Sequence, residues 1–443
     1  MNRRQFVRAG SGADVWTEGE RAVRAAPRFG TAGILDAGVR EQQELMQAGK
    51  LTSHSLTSQY LARIKTIANA GPCVNAIVEI NPEALKIALE MDRERGLKRL
   101  RGPLHGIPVL LKDNIATGDR MRTSSSTNAS TGASANAGTP APADARAARD
   151  AFVVAQLRAA GAVIIGKTNP RAWANMLPLH AVVGASPGSG AAIAAGLATL
   201  AVGTETDGSI VSPASICGMV GIKPTLGLVS RSGITPIDPS LDTAGPMARS
   251  VADAALMLAA MAGTDANDPA TTTASDKAAD YRAALDKAGL RGARIGVARN
   301  LFGNHAELDV VIEKALVDLK AQGAVLVDSE LPNAGDAREA GIAQLMREHS
   351  LDALVAPTGG PVWRTDSING GQAGAGFPSP VAVAGCPHIT VPAGQVYGQP
   401  VGLSFVGAAF SEAKLIGMAY AFEQATLHRR APRFPASLAL AVR

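Results

Sequence analysis

The residues best placed to do chemistry are Gly-Thr-Glu-Thr-Asp-Gly-Ser-Ile at 203–210. A serine hydroxyl there follows a short glycine- and threonine-rich loop and opens a turn or helix. Acyl transfer needs a nucleophile beside backbone N–H groups that can hold a developing oxyanion. Ser209 is therefore the candidate nucleophile, and the N–H groups of Thr206, Asp207, Gly208 and Ser209 are the candidate donors. Lys112 is the second candidate, delivered at or just beyond the apolar run Val109 to Leu111, which reads as a buried strand. A buried ammonium is costly, so its pKa falls and the amine becomes a usable base. Two plainer readings stay open from these residues alone: a helix N-cap serine, and a lysine whose ammonium reaches solvent.

Several elements must position these groups. Ala201 to Thr204 reads as a short strand feeding the loop, and the Ala- and Gly-rich stretch Ser189 to Leu200 as a helix able to pack close to it. Upstream, Asp36 to Gln47 reads as a helix, and Leu56, Tyr60, Leu61, Ile64 and Ile67 form a stripe at helical spacing that Gly71-Pro72 stops. Val74 to Ile80 is a strand candidate, and Pro82 opens a helix to about Gly96. A helix marked by Phe152, Val153, Val154, Leu157 and Ala160 leads to a strand at Ala162 to Ile165. Downstream, Ser250 caps a helix from Val251 to Met261, strands at Arg294 to Ala298 and Ala324 to Val327 flank a helix near Leu308 to Leu319, and Leu354 to Ala356 is a further strand. His388 to Val391 and Leu403 to Val406 read as strands, and Glu412 to Leu427 as a closing helix. This rhythm predicts an α/β fold with a mixed or mostly parallel sheet under helices. Without a repeat or linker, the expected organisation is a poorly ordered segment at 1–34 and a single domain at 35–443. The low-complexity stretch at 124–147 reads as a loop or insertion, and 365–380 as a glycine-rich loop.

Composition narrows the function classes. The 443 residues are 46% hydrophobic but only 4% aromatic, and the net charge of +5 is scattered among acidic residues. With no basic stripe interleaved with aromatics, nucleic-acid binding is not expected. No apolar run reaches membrane-spanning length. Cys73, Cys217 and Cys386 are too few and too far apart for a disulfide framework or a structural zinc site, and the seven histidines show no metal-ligand spacing. No metal and no cofactor is expected. The N-terminus, Met1-Asn2-Arg3-Arg4-Gln5-Phe6, resembles the start of a twin-arginine export signal but lacks an apolar stretch behind it. A cytoplasmic location is the expectation, with a periplasmic one as the alternative.

Taken together, these motifs resemble the amidase signature family. The matching stretches are G-I-P-V-L-L-K-D-N-I at 106–115, G-T-E-T-D-G-S-I at 203–210, G-x-V-G-x-K-P-T at 218–225, G-L-V-S-R at 227–231 and D-T-A-G-P-M-A-R-S at 242–250. The similarity continues through A-P-T-G-G-P at 356–361 and P-V-G-L-S-F at 400–405, and the T-E-T-D-G-S form is similar to the peptide-amidase-like branch. The resemblance implies a three-layer α/β/α fold with a mixed central sheet and a Ser–cis-Ser–Lys triad, with Ser209 as nucleophile and Lys112 as base. Counting back from Ser209 without gaps, the bridging-serine position falls on Ala185, within Gly184-Ala185-Ser186-Pro187-Gly188-Ser189. Ser186 is the nearest substitute after a local shift, although Pro187 restricts it to an extended backbone; Ser189 is a poorer one. The segments Leu177 to Val183 and Pro332 to Leu354 look short beside the family pattern.

The expected function is hydrolysis of carboxamide bonds in a small amide substrate through a serine acyl-enzyme, impaired to the extent that Ala185 breaks the relay. The alternatives are a weak or inactive amidase-fold pseudoenzyme and an A-type subunit of a tRNA-dependent amidotransferase. Oligomeric state is left open.

Overall fold

The structure is a computed structural model that describes residues 33–68, 74–122, 146–169, 186–274, 277, 279–333, 335–336, 341–362 and 377–433. The expectations for nearly all of 1–34 and 124–147, for Gly71-Pro72, Leu177 to Val183 and Ala185, and for most of 365–380, fall outside the described residues.

In chain order the strands are β1 (Ile77–Ile80), β2 (Pro108–Lys112), β3 (Val163–Thr168), β4 (Leu200–Glu205), β5 (Val220–Lys223), β6 (Thr243–Ala248), β7 (Arg294–Ala298), β8 (Val325–Ser329), β9 (Ala353–Pro357), β10 (His388–Val396) and β11 (Gln399–Val406). The α-helices are α1 (Val39–Gln47), α2 (Ser53–Arg63), α3 (Ala84–Gly96), α4 (Phe152–Ala159), α5 (Pro187–Ala194), α6 (Val211–Ile216), α7 (Val251–Met261), α8 (Ala306–Ala321), α9 (Ile342–Glu348), α10 (Pro378–Val383) and α11 (Glu412–Thr426). All of these strands join one sheet in the order β1-β3-β2-β4-β6-β5-β10-β11-β9-β7-β8. The expected three-layer α/β/α fold with a mixed central sheet is what the chain adopts.

Strand direction follows from the connections. Strand β2 is parallel to β3 and β4, and β7 is parallel to β8 and β9. Parallel neighbours need crossovers, which helices supply: α4 between β2 and β3, α5 between β3 and β4, α8 between β7 and β8, and α9 between β8 and β9. The remaining pairs are antiparallel, including the hairpin β10–β11. Every residue of β2, β3, β4, β6 and β9 is buried. A strand covered on both faces needs no polar alternation, which is why β2, β9 and the start of β3 read as short apolar runs.

Several elements match their expected bounds. The α7 helix begins where Ser250 accepts a hydrogen bond from the Asp253 N–H, and β7 spans Arg294–Ala298, as its pattern predicts. Others differ. The helix expected over Ser189 to Leu200 is α5, which starts at Pro187 and stops at Ala194, because Gly196 turns to a left-handed φ of +67° and the Leu197 N–H closes back on the Ala192 carbonyl at 2.8 Å. Strands β5 and β6 carry family motifs without a clear strand signature, since Val-Gly-Ile-Lys is short with a glycine inside it and Thr-Ala-Gly-Pro-Met-Ala contains glycine and proline. Helix α10 overlaps the stretch expected to be a glycine-rich loop, where Pro378 and Pro380 favour a helical start. Among the described residues, no helix is long and apolar enough to cross a membrane.

The β4–β6–β5 centre depends on a close approach at Gly245. A Cβ there would stand 2.0 Å from the Ile222 carbonyl oxygen, far inside contact distance, with backbone rather than a flexible side chain in the way. Gly245→Ala is therefore expected to destabilise the protein by about 3 kcal/mol or more. Thermal unfolding checks it, and a melting temperature equal to the wild type contradicts this account of the sheet centre.

Candidate active site

Strand β2 runs parallel to β4 with Leu111 opposite Val202, which brings Lys112 to the end of β4. The Lys112 side chain is buried, and its Nζ donates to Thr204 Oγ1 at 2.6 Å and to the Thr204 carbonyl at 3.3 Å. Asn114, just past β2, donates through Nδ2 to the same hydroxyl at 3.2 Å and to the Thr235 carbonyl at 3.2 Å. Burial drives the Lys112 pKa down from 10.5 to about 7, although the negative charges of Asp242 and Glu205 hold it up in part. The option of a lysine reaching solvent is thereby removed. Close to neutral pH this amine exists in both protonation states, as a general base requires.

Ser209 is buried and sits in the turn between β4 and α6, two residues before the helix begins. It is not the N-cap of α6, a position held by Ile210, so capping does not account for the serine. The turn needs Gly208, whose φ of +72° is a left-handed value that a side chain disfavours. Thr206 donates through Oγ1 to Asp242, which also accepts from the N–H groups of Ile237 at 2.7 Å and Asp238 at 3.1 Å. Asp242 thus ties the loop to the segment before β6; burial nonetheless raises its pKa, with these hydrogen bonds opposing.

Glu205, inside the motif but without an obvious chemical role, organises the loop from beneath. Its Oε2 accepts from the N–H groups of Ile210 at 2.7 Å and Val211 at 3.0 Å, and the Gly208 N–H also acts on the carboxylate. The first N–H groups of α6 are therefore engaged by Glu205. Burial raises the Glu205 pKa, opposed first by the positive charge of Lys223. Lys223, buried on β5, donates to the Cys386 carbonyl at 2.6 Å; burial lowers its pKa and Glu205 opposes that shift. The sequence does hold a signal for this: a glutamate at the end of a strand buried on both faces must find a partner.

Ser186 lies in the same neighbourhood, and its hydroxyl meets the Thr204 backbone. It is the N-cap of α5, and its hydroxyl donates to the Thr204 carbonyl at 3.0 Å and accepts from the Thr204 N–H at 3.3 Å. Its ψ of 36° departs from the extended conformation expected before proline, because the chain is already turning into α5. Lys112 and Ser186 therefore meet at Thr204, one on its hydroxyl and both on its carbonyl. Ser189 is also buried and bonded elsewhere, to the Thr168 hydroxyl at 2.7 Å. Thr204 is the site residue that the motif does not advertise. Its position on β4 follows from strand alternation, which puts Val202 and Thr204 on one face.

The Lys112 environment can be tested without reference to turnover. In the unfolded chain the amine keeps its proton up to about 10.5, whereas in the folded protein it gives it up near 7. Between these values the unfolded state binds more protons, so this group's contribution to stability rises with pH across that window. Below it, the buried ammonium opposes folding in full. Lys112→Met should melt above the wild type at pH 7, with the gap narrowing as pH rises toward 10. A gap independent of pH would contradict a depressed pKa.

Known sequences and structures are similar to this chain over most of its length. A family model of amidases matches residues 55–178 and 175–355. The native peptide amidase from Stenotrophomonas maltophilia, a solved structure, is 41% identical with a TM-score of 0.80, covering 90% of this chain and 98% of that one. A probable amidase of Arabidopsis thaliana is 33% identical over 505 aligned positions, covering 91% of this chain and 93% of its own. The A-type subunit of the glutamyl-tRNA(Gln) amidotransferase of Moorella thermoacetica is 31% identical, covering 88% of this chain and 97% of its own. The 505 aligned positions exceed the 443 residues here, so the Arabidopsis relative has segments without a counterpart in this chain. The family match also breaks into two stretches that meet at 175–178, beside the segment that looks short in the sequence.

Proposed function

Because the chain belongs to the amidase family, we propose that it hydrolyses the C–N bond of small carboxamides through an acyl-enzyme on Ser209. The observation that carries this reading is the buried Lys112 amine, held on Thr204 at the end of the strand that feeds the Ser209 loop. With Lys112 neutral, the Ser209 hydroxyl attacks the amide carbonyl as its proton passes to the amine, directly or through a hydroxyl or water. The oxyanion is received by backbone N–H groups among Thr206, Asp207 and Ser209, the Gly208 N–H being engaged by Glu205. The Lys112 ammonium then returns the proton to the departing nitrogen, the C–N bond breaks, and ammonia or an amine leaves. Water attacks the ester by the same route, releasing the acid and restoring Ser209.

In this scheme Thr204 keeps the Lys112 amine aimed, a task for which an alanine at position 185 brings no hydroxyl. Ser209→Ala should abolish amide hydrolysis. Thr204→Val should lower kcat/KM by about 10²-fold, at the low end of what general-base help contributes, while Thr204→Ser retains most of it. Activity should rise with pH through about 7 as Lys112 loses its proton. Asp242→Asn should move that rise to lower pH, since Asp242 is the largest charge holding the Lys112 pKa up. Unchanged hydrolysis in Ser209→Ala sinks the mechanism, and an unchanged rate in Thr204→Val sinks the role of Thr204.

A second reading, weak turnover on an intact fold, has its own support: the Ser186 hydroxyl is committed to the Thr204 backbone. It predicts that Ala185→Ser raises the rate by about 10²–10⁴-fold, the range that general-base help contributes. Equal rates in the two proteins exclude it.

A further inference from the structure

We propose that the Asp207 side chain selects amides that carry a positive charge close to the scissile carbonyl and disfavours those that carry a carboxylate there. The inference rests on the reading of Ser209 as nucleophile and adds the substrate class.

Asp207 is exposed, Thr206 before it is half-buried, and Gly208, Ser209 and Ile210 after it are buried. It stands two positions before Ser209, so their Cα atoms lie within about 7 Å of each other. Its carboxylate is not swinging free: Ser379 Oγ donates to Asp207 Oδ2 at 2.7 Å. The same segment fixes the loop by packing, since a Cβ on Gly208 would meet Pro378 carbon atoms at 3.1 and 3.2 Å. The α10 helix therefore holds both the backbone and the acidic side chain of the loop.

Among the described residues, neither the helix that follows it nor the helix that bonds its carboxylate carries an opposite charge. Helix α6 reads Val-Ser-Pro-Ala-Ser-Ile and α10 reads Pro-Ser-Pro-Val-Ala-Val, neither with an ionisable side chain. The buried carboxylates of Glu205 and Asp242 are directed elsewhere, to the start of α6 and to Thr206 with the 237–238 N–H groups. A fixed negative charge beside a nucleophile attracts a cationic acyl group as it approaches and repels an anionic one. The serine of α10 does not neutralise that charge; it orients it.

The experiment compares kcat/KM for three matched amides: N-acetyl-lysinamide, N-acetyl-norleucinamide and the α-amide of N-acetyl-glutamate. The wild type should prefer the lysine compound over the glutamate one by about three- to thirty-fold at low salt. Raising ionic strength from ~0.01 M to ~1 M shortens the screening length from about 30 Å to about 3 Å, so the preference should shrink without any mutation. Asp207→Asn should bring the lysine and glutamate compounds close together, whereas Asp207→Glu keeps their order. An equal or reversed preference in the wild type, a preference indifferent to salt, or one that survives in Asp207→Asn each overturns the assignment. Turnover of the norleucine compound together with any of these results leaves the amidase reading standing. No turnover of any of the three, with Ser209 unlabelled by a serine-directed acylating probe, overturns that reading and this inference with it.

Discussion

An amine buried at the centre of a mixed sheet is the constraint on which the site depends. Taking a lysine cation out of water is unfavourable unless donors and charges around it compensate, and here they compensate only in part. Thr204 supplies a hydroxyl and a carbonyl, Asn114 braces that hydroxyl, and Asp242 and Glu205 supply negative charge from a distance. The result is an amine whose pKa has come down to about 7 without collapsing further. Strand order makes this possible: β2 lies between β3 and β4 with both faces covered, so Lys112 has no route to solvent along the sheet.

The loop bearing Ser209 is held by a separate set of contacts. Glu205 grips the start of α6 from below, Asp242 holds Thr206 from the side, and α10 closes over Gly208 and Asp207. Lys223 beneath Glu205 reaches the Cys386 carbonyl at the approach to β10, which joins the loop to the far half of the sheet. A buried carboxylate and a buried ammonium each lower the cost of the other, and neither is well placed to act on a substrate. Their effect is positional, and it explains why motifs far apart in the chain occur together around one serine.

Much of this is legible in the residues. The helix capped by Ser250, the strand Arg294–Ala298 and the short apolar runs of β2 and β3 announce themselves through caps and periodicity. Lys112 and Ser209 stand out because an ionisable group after a buried run and a hydroxyl in a glycine-rich turn are chemically conspicuous. What stays hidden has a physical reason. Strands β5 and β6 are made possible by close backbone packing at Gly245, a tertiary property that propensity does not register. Glu205 looks like a loop residue just past a short strand that ends at Thr204, until the sheet shows both at the end of a fully covered strand, with side chains on opposite faces. The part played by Ser186 depends on which way its hydroxyl turns, and it turns to the Thr204 backbone.

The central claim is that the Lys112 amine activates Ser209 for acylation. Its most direct measurement is the rate at which a serine-directed acylating probe adds to the intact protein, followed by mass across the pH range and mapped to the modified residue. The account predicts one adduct, on Ser209, forming faster as pH rises through about 7 and slowed strongly in Lys112→Met. An adduct on another residue, or equal rates at Ser209 with and without the amine, would contradict it.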